Sequence, residues 1–369
     1  MERSLAHIEQ VVSLSPIEGA DFIEAAMVLG WQLVVKKGEF QVGDYAVYTE
    51  IDSVLPDKPE FKFMRDRKFR IKTIKLRKQI SQGILFPLSI LPVKYRNKPL
   101  GFDCTEILGI KKYESPTERR DSQIREPEGW LWRFIKRNRA TKWLSRYKWF
   151  RSMFYRRQKR SAFPSWIVKT DEIRLQNYTQ VLQTGGQFYI TEKLDGMSVT
   201  AFLRKPKEFG ICSRNQRRDK DVGSAWYEVA KKYRLKEILT VLTLLENGAR
   251  DNVVLQGEIV GPNIQGNKYG LTELKLYVFN LILDGKRIEY TEMKNIFDIA
   301  FLVDNDKVKI DCVPLLEERE LLPTVEEMVK YSNGKSVLNP SVMREGIVCR
   351  QGDISFKVVS PEFLLKYEE

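Results

Sequence analysis

Lys193 stands in the run Glu192-Lys193-Leu194-Asp195-Gly196, between two β-rich stretches, Phe188 to Thr191 and Val199 to Leu203. A lysine amine held on a short loop between strands can attack phosphorus once it has lost its proton. Burial beside other cations or a metal lowers its pKa toward that state. Gly196 lets the backbone turn tightly near a ligand. Taken alone, a K-x-D-G tetrad is a weak signal, because an exposed turn carries the same residues. What raises it is ordered company downstream. Ser213-Arg214-Asn215 comes first, then Gly257-Glu258-Ile259-Val260-Gly261-Pro262-Asn263-Ile264-Gln265, then Leu276-Tyr277-Val278-Phe279-Asn280. Glu345-Gly346-Ile347-Val348 and Ser355-Phe356-Lys357 close the series. Each piece has a bland explanation: a surface arginine, a turn, a core strand, a strand start, a strand end. All of them in this order are hard to assign to accident.

Composition removes most other chemistries. Histidine occurs once in 369 residues, at His7. Ser-His-Asp hydrolysis, papain-like catalysis and H-E-x-x-H zinc sites all need histidines that this chain lacks. Cys104, Cys212, Cys312 and Cys349 form no C-x-x-C pair and have no histidine nearby, so reduced, mostly buried thiols are expected rather than zinc or disulfides. An acting enzyme must draw on Lys, Asp, Glu, Tyr, Ser or Cys. No apolar run is long enough to span a membrane and no N-terminal signal peptide is recognised, so an intracellular protein without stable membrane insertion is expected.

The elements that must position these residues fall into three stretches. Residues 1–110 carry short β-rich runs, Trp31 to Val35 and Tyr45 to Tyr48, separated by the turn residues Lys37-Gly38-Glu39-Phe40 and Gly43-Asp44. Phe69 to Arg77 alternates strongly and reads as one further strand, and Gly83 to Phe86 follows. Several short strands with glycine-containing turns predict a small barrel of the OB type. Arg70, Lys72, Lys75 and Arg77 suit a groove that tracks a phosphate backbone, and equally suit a solvated strand face. Residues 111–165 form a basic, aromatic-rich insertion or linker. The net charge is +13, and the stretch from Pro127 to Arg160 holds twelve Lys or Arg against one acid, Glu128. Nucleic-acid binding, packing on a neighbouring domain and attachment to an anionic membrane surface are the readings of that segment, in that order. Residues 166–369 alternate strands with helices, the latter over Ala225 to Leu245 and Met293 to Val303, and predict an α+β domain.

The ordered series resembles the motifs of the covalent nucleotidyltransferases. Lys193 to Gly196 matches motif I, Arg214 lies in Ia, Phe279 ends III, Glu345 lies in IV and Lys357 in V. The stretch from Gly257 to Asn280 is most similar to the RNA ligase 2-like branch. Lys169-Thr170-Asp171-Glu172 with Arg174 and Gln176-Asn177, and Arg70 to Arg77 with Ser81-Gln82-Gly83, resemble the nick-sealing RNA ligases of the Deinococcus and Naegleria type. Those carry an OB domain ahead of the catalytic domain. Only twelve residues follow Lys357, too few for the downstream OB domain of DNA ligases and capping guanylyltransferases.

The resemblance implies an N-terminal OB-like β-barrel followed by a nucleotidyltransferase domain built on antiparallel sheets with helices. It implies an ATP-dependent RNA ligase that seals 3′-hydroxyl and 5′-phosphate ends at nicks in duplex RNA or RNA/DNA hybrid, working as a monomer. Lys193 is then the residue that carries AMP. Glu192 sits at the adenine edge, and Phe279 stacks on the base in preference to Tyr277. Arg214 and Glu258 hold the ribose hydroxyls. Asp195 and Glu345 position Mg²⁺ or Mn²⁺ through water, and Lys357 holds the α-phosphate, with Arg350 a further phosphate contact. One departure stands out. The branch has K-x-K in motif V, whereas here the second position is Val359, so Lys357 must suffice or Lys366 or Arg350 must compensate. The alternatives are a capping-type or DNA-joining relative, and an RNA-binding relative without activity.

Overall fold

A computed structural model describes residues 4–113, 134–135, 137, 162–204, 208–218, 221, 223–244, 250–303 and 308–367. By its contacts the chain divides into two compact units, Met1–Lys112 with Phe163–Glu369, and Tyr113–Ala162. The basic segment 127–160 lies almost wholly outside the described residues.

The N-terminal strands are β1 (Ala6–Pro16), β2 (Ile23–Val28), β3 (Trp31–Lys36), β4 (Tyr45–Thr49), β5 (Ser53–Val54), β6 (Thr73–Leu76), β7 (Gln79–Gln82), β8 (Ile84–Pro87) and β9 (Lys111–Lys112). Five of them form one antiparallel sheet in the order β3-β2-β1-β4-β8. In β3, Trp31, Leu33 and Val35 are buried while their neighbours are less so, the period of two that a half-covered strand requires. The β6–β7 hairpin lies against β3, where Val34 N donates to Ser81 Oγ at 3.0 Å and Gln32 Nε2 donates to the Ile80 carbonyl at 3.2 Å. Ile8, Trp31, Leu33, Tyr48 and Phe61 fill the space enclosed.

The expected single strand over Phe69 to Arg77 is corrected here. Lys68 and Phe69 take left-handed backbone angles (φ 52° and 59°), and Arg77 and Lys78 do so again. Only Thr73–Leu76 is left as strand, paired with Gln79–Gln82. The basic set is accordingly divided: Arg70 is buried, Lys72 half-buried, and Lys75 and Arg77 exposed.

The later strands are β10 (Ile173–Arg174), β11 (Phe188–Lys193), β12 (Met197–Arg204), β13 (Glu208–Cys212), β14 (Asn252–Val260), β15 (Lys275–Leu283), β16 (Lys286–Arg287), β17 (Asp311–Cys312), β18 (Leu315–Arg319), β19 (Gly346–Gln351) and β20 (Ile354–Val359). They build two sheets, one ordered β10-β20-β19-β11-β18 and the other β13-β12-β14-β15-β16, with β17 beside β15. Phe188 and Ile190 of β11 point to one side, where the helix Val325–Ser332 seals them with Met328, Phe356 and Val358. Alternation sends Tyr189, Thr191 and Lys193 to the other side. The second sheet is covered by the helices Ala225–Lys232 and Leu235–Leu242, whose Val229, Leu235 and Leu239 pack with Val199, Ala201 and Leu255. A single helix over Ala225 to Leu245 was the expectation. It breaks because Arg234 adopts a left-handed conformation (φ 47°).

The N-terminal sheet and the later sheets meet through polar contacts. Trp31 Nε1 donates to Asn177 Oδ1 at 2.6 Å, and Asn177 Nδ2 donates in turn to Glu50. Arg174 donates to Asp52 at 3.0 Å, and Gly30 N donates to the Gln176 carbonyl at 3.1 Å. Buried His7 lies between Glu9 (2.8 Å) and Glu50 (3.5 Å). Among the described residues no helix is long and apolar enough to cross a membrane. Cys104, Cys212 and Cys349 are buried, Cys312 is half-buried, and all four are free.

Candidate active site

Lys193 is the last residue of β11, and β12 begins in the other sheet at Met197. The tetrad therefore forms the crossing between the two sheets. In the first sheet Lys193 pairs with Gly346, which puts it beside Glu345. In the second, Ser198 pairs with Glu258, and Glu258 with Tyr277. Gly196 is explained by close approach more than by turning. A Cβ there would lie 2.4 Å from the Ile259 carbonyl oxygen and 2.8 Å from Glu258 Cγ, so glycine lets the crossing press against β14.

Three carboxylates surround the amine. Lys193 Nζ donates to Glu345 Oε2 at 2.6 Å, and Glu258 and Asp195 act on it electrostatically. Burial pulls the Lys193 pKa down, but the carboxylates, Glu345 foremost, outweigh it and hold the ammonium above the usual lysine value. The expectation of an amine with a lowered pKa is thus reversed. Burial pushes Glu258 up to about 8 against the pull of Lys193, and burial also raises Glu345.

The cations of the series converge on a neighbouring point. Asp171 takes contacts from Arg214 at 2.6 Å, Lys357 at 3.2 Å and Lys112 at 3.6 Å. Burial acts against the Asp171 carboxylate, but Lys357, Arg214 and Lys112 hold it well below the ordinary range. Arg350 donates to Glu172 at 3.0 Å and its guanidinium lies 5.3 Å from the centroid of Phe279. Phe279 is half-buried, whereas Tyr277 is buried with Leu194, Val260 and Tyr269. Glu192 is 1% exposed. Its Oε2 accepts from Val337 N at 2.7 Å, while its Oε1 has no hydrogen-bond partner among the described residues. The structure thus gathers Lys193, Asp195, Glu258 and Glu345 around one amine, and Arg214 and Lys357 around Asp171. Arg350 and Phe279 lie together, and Glu192 faces the loop at Val337.

Sequence reasoning assigned no role to Lys268, Tyr269 or Lys112, and quoted Asp171 and Glu172 only for resemblance. Lys268 Nζ donates to Asp195 Oδ2 at 2.5 Å, and Tyr269 Oη accepts from Asp195 N at 2.7 Å. Their loop is tight. Gly261, Asn263, Gln265, Gly266, Asn267 and Gly270 all have positive φ, and Asn267 Oδ1 accepts from Leu271 N at 3.1 Å. The density of Gly and Asn directly after Glu258 was the signal available. Asp195, Glu258 and Glu345 offer hard oxygen donors of the kind a divalent cation takes largely through water. Among the described residues no three acidic, histidine or cysteine side chains cluster tightly enough to ligate a metal directly.

An OB-fold domain family model matches residues 5–88, and an RNA ligase family model matches residues 186–367. Structures of Naegleria gruberi RNA ligase match along the whole chain. One solved with pyrophosphate is 31% identical, with a TM-score of 0.79, covering 99% of this chain and 99% of that one. A mutant solved with ATP and Mn is 31% identical with a TM-score of 0.79, covering 100% of both chains. Another mutant, solved with AMP and Mn, is 30% identical with a TM-score of 0.78, covering 98% of both. The search of curated proteins found no match. With a site built on the sheet crossing at Lys193 and an alignment that runs from the N-terminal sheet through motif V, this chain belongs to the RNA ligase family.

Proposed function

We propose that this protein is an ATP-dependent RNA ligase that adenylylates its own Lys193 and then seals 3′-hydroxyl and 5′-phosphate ends, at nicks in duplex RNA or RNA/DNA hybrid. The observation that carries the reading is the placing of Lys193. It sits at the crossing between two sheets, 2.6 Å from Glu345 and one strand away from Glu258. In the first step the neutral Lys193 amine attacks the α-phosphorus of ATP. An N–P bond forms, the P–O bond to pyrophosphate breaks, pyrophosphate leaves with the electron pair, and the nitrogen releases a proton to water. In the second, an oxygen of the RNA 5′-phosphate attacks that phosphorus and the N–P bond breaks as the nitrogen takes up a proton, leaving AMP on the RNA end. In the third, the 3′-hydroxyl loses its proton, attacks the activated 5′-phosphorus and expels AMP.

The residue roles on this reading are those the resemblance implies, and the geometry supports them in part. Phe279 offers a ring face to adenine, and the unpartnered Oε1 of Glu192 can accept from an exocyclic amine. On this reading Arg214 and Glu258 hold the ribose hydroxyls and Lys357 stabilises the charge of the phosphates in transfer, while Arg350, the further phosphate candidate, is bonded to Glu172 beside Phe279. Asp195 and Glu345 would hold Mg²⁺ or Mn²⁺ largely through water, and the cation supplies charge neutralisation at the phosphates when bound. Residues 1–110 would grip the flanking duplex as an OB domain and residues 166–369 would carry the chemistry. The charge of residues 127–160 suits a polyanionic partner. The enzyme works inside the cell as a monomer on this reading.

The test is intact mass after incubation with ATP and Mg²⁺ or Mn²⁺. A gain of one AMP that vanishes in Lys193→Ala is expected. Absence of any adduct with either metal would sink the proposal, and an adduct from GTP alone would move the protein to the capping type.

A further inference from the structure

We propose that Lys268 is a catalytic residue of this ligase, supplying beside Lys193 a second phosphate-facing cation that position 359 lacks. The inference rests on the reading of Lys193 given above.

Val359 follows Lys357 by two residues on β20, so both side chains leave the same face of that strand. Val359 is 4% exposed and brings no charge. The two candidates that sequence reasoning offered in its place are occupied elsewhere. Arg350 is bonded to Glu172 and lies over Phe279. The Lys366 ammonium lies over the ring of its neighbour Tyr367. Lys268 arrives from another direction. Its ammonium lies 5.7 Å from the ring centroid of Phe363 and 5.6 Å from that of Tyr367, both on the helix that directly follows Val359. It is bonded to Asp195, one of the carboxylates that act on Lys193. The positive charge is thus brought to the end of β20 and to the nucleophile's own carboxylate shell.

Two features suit it to a phosphate. An ammonium has three donors, and among the described residues Asp195 takes one and the Gln265 carbonyl, at 2.8 Å, a second. The third has no hydrogen-bond acceptor among the described residues and is the donor proposed for a substrate oxygen. The backbone that carries it is also held, because Asn339 Nδ2 donates to the Lys268 carbonyl at 3.1 Å and the loop takes left-handed angles at several residues. A fixed donor needs little rearrangement when charge develops at phosphorus.

The experiment uses the full chain, with saturating ATP and saturating Mg²⁺ or Mn²⁺, and a quenched time course of AMP adduct formation read by intact mass. Lys268→Ala should slow the maximal rate on the order of 100-fold, as loss of one transition-state donor does. Lys268→Arg should recover most of that loss, with melting temperatures showing that both variants fold. A wild-type rate in Lys268→Ala would overturn the inference. So would a loss that appears only at limiting metal and is absent at saturation, which would make Lys268 only a keeper of Asp195, and so would an Arg variant as slow as the Ala one. These outcomes leave the ligase reading standing, since that reading fails only if the wild-type chain forms no adduct.

Discussion

His7 offers a direct measurement of how the N-terminal sheet is tied to the rest of the unit. Its imidazole is buried between Glu9 and Glu50, and Glu50 also accepts from Asn177, which holds Trp31. Burial alone would lower its pKa, but the hydrogen bonds and charges of Glu50 and Glu9 prevail and raise it from 6.5 to about 9. At about 1.4 kcal/mol per pH unit, the interval from 6.5 to about 9 makes roughly 3 kcal/mol of stability carried by the imidazolium. Because the folded value is the higher one, this contribution is complete below pH 6.5 and is lost as pH rises through 9. His7→Gln keeps a donor of similar reach but no charge. Urea unfolding of wild type and variant at pH 6, 7.5 and 9.5 should give a difference of roughly 3 kcal/mol at pH 6 that shrinks toward zero at the highest pH. The chain has one histidine, so its imidazole resonance can be followed without assignment. An imidazole that titrates near 6.5, or a stability difference equal at pH 6 and 9.5, would refute the reasoning.

Two further outcomes concern the nucleotide. Phe279→Ala should raise the KM for ATP in adduct formation roughly tenfold or more, since stacking of a base on an aromatic ring contributes about 1–3 kcal/mol; an unchanged KM would remove Phe279 from the adenine site. Asp171→Asn should lower the KM for ATP by roughly threefold to tenfold, because the carboxylate that draws Arg214, Lys357 and Lys112 competes with incoming phosphates, a modest effect at a partly exposed site. A raised KM would mean that Asp171 positions those cations for ATP instead.

The parts of the site legible in the sequence were those with a local signature. The strands flanking Lys193 could be read from their apolar runs, and the ordered motifs contain Glu258 and Glu345, which lie at the amine, and Arg214 and Lys357, which lie at Asp171. Boundaries failed where one residue turned left-handed without being glycine. Phe69 and Arg234 did so inside patterns that read as a continuous strand and a continuous helix. The partners of the charged residues were illegible for another reason. Asp171 meets Lys357, and Lys268 meets Asp195, across 186 and 73 positions of chain. Charge complementarity at that separation leaves no periodic trace, and only the pairing of β10 with β20 and the folding of the Gly261–Gly270 loop create it. The inward turn of Arg70 was hidden similarly, since a basic residue on a strand reads as solvated whether or not the next turn buries it.

The pocket surrounds the proposed nucleophile with groups that keep it protonated. A neutral amine is needed for attack, yet Glu345, Glu258 and Asp195 together favour the ammonium. Anything that satisfies those carboxylates from another side weakens their hold on the Lys193 proton. Lys268 already does so for Asp195, and protonation does so for Glu258, whose pKa lies at about 8. That leaves Glu345, bonded directly to Lys193, as the principal carboxylate keeping the amine charged. Glu345 and Asp195 are the carboxylates that would hold a divalent cation, which would supply positive charge there when bound; with their charge so engaged, they would hold the Lys193 proton less tightly. On the proposed function, activation of the amine is then coupled to binding of the substrate. A lysine-acylating reagent offered to the apo protein should accordingly spare Lys193 while its more exposed lysines react, because the reagent needs the same free base that ATP does.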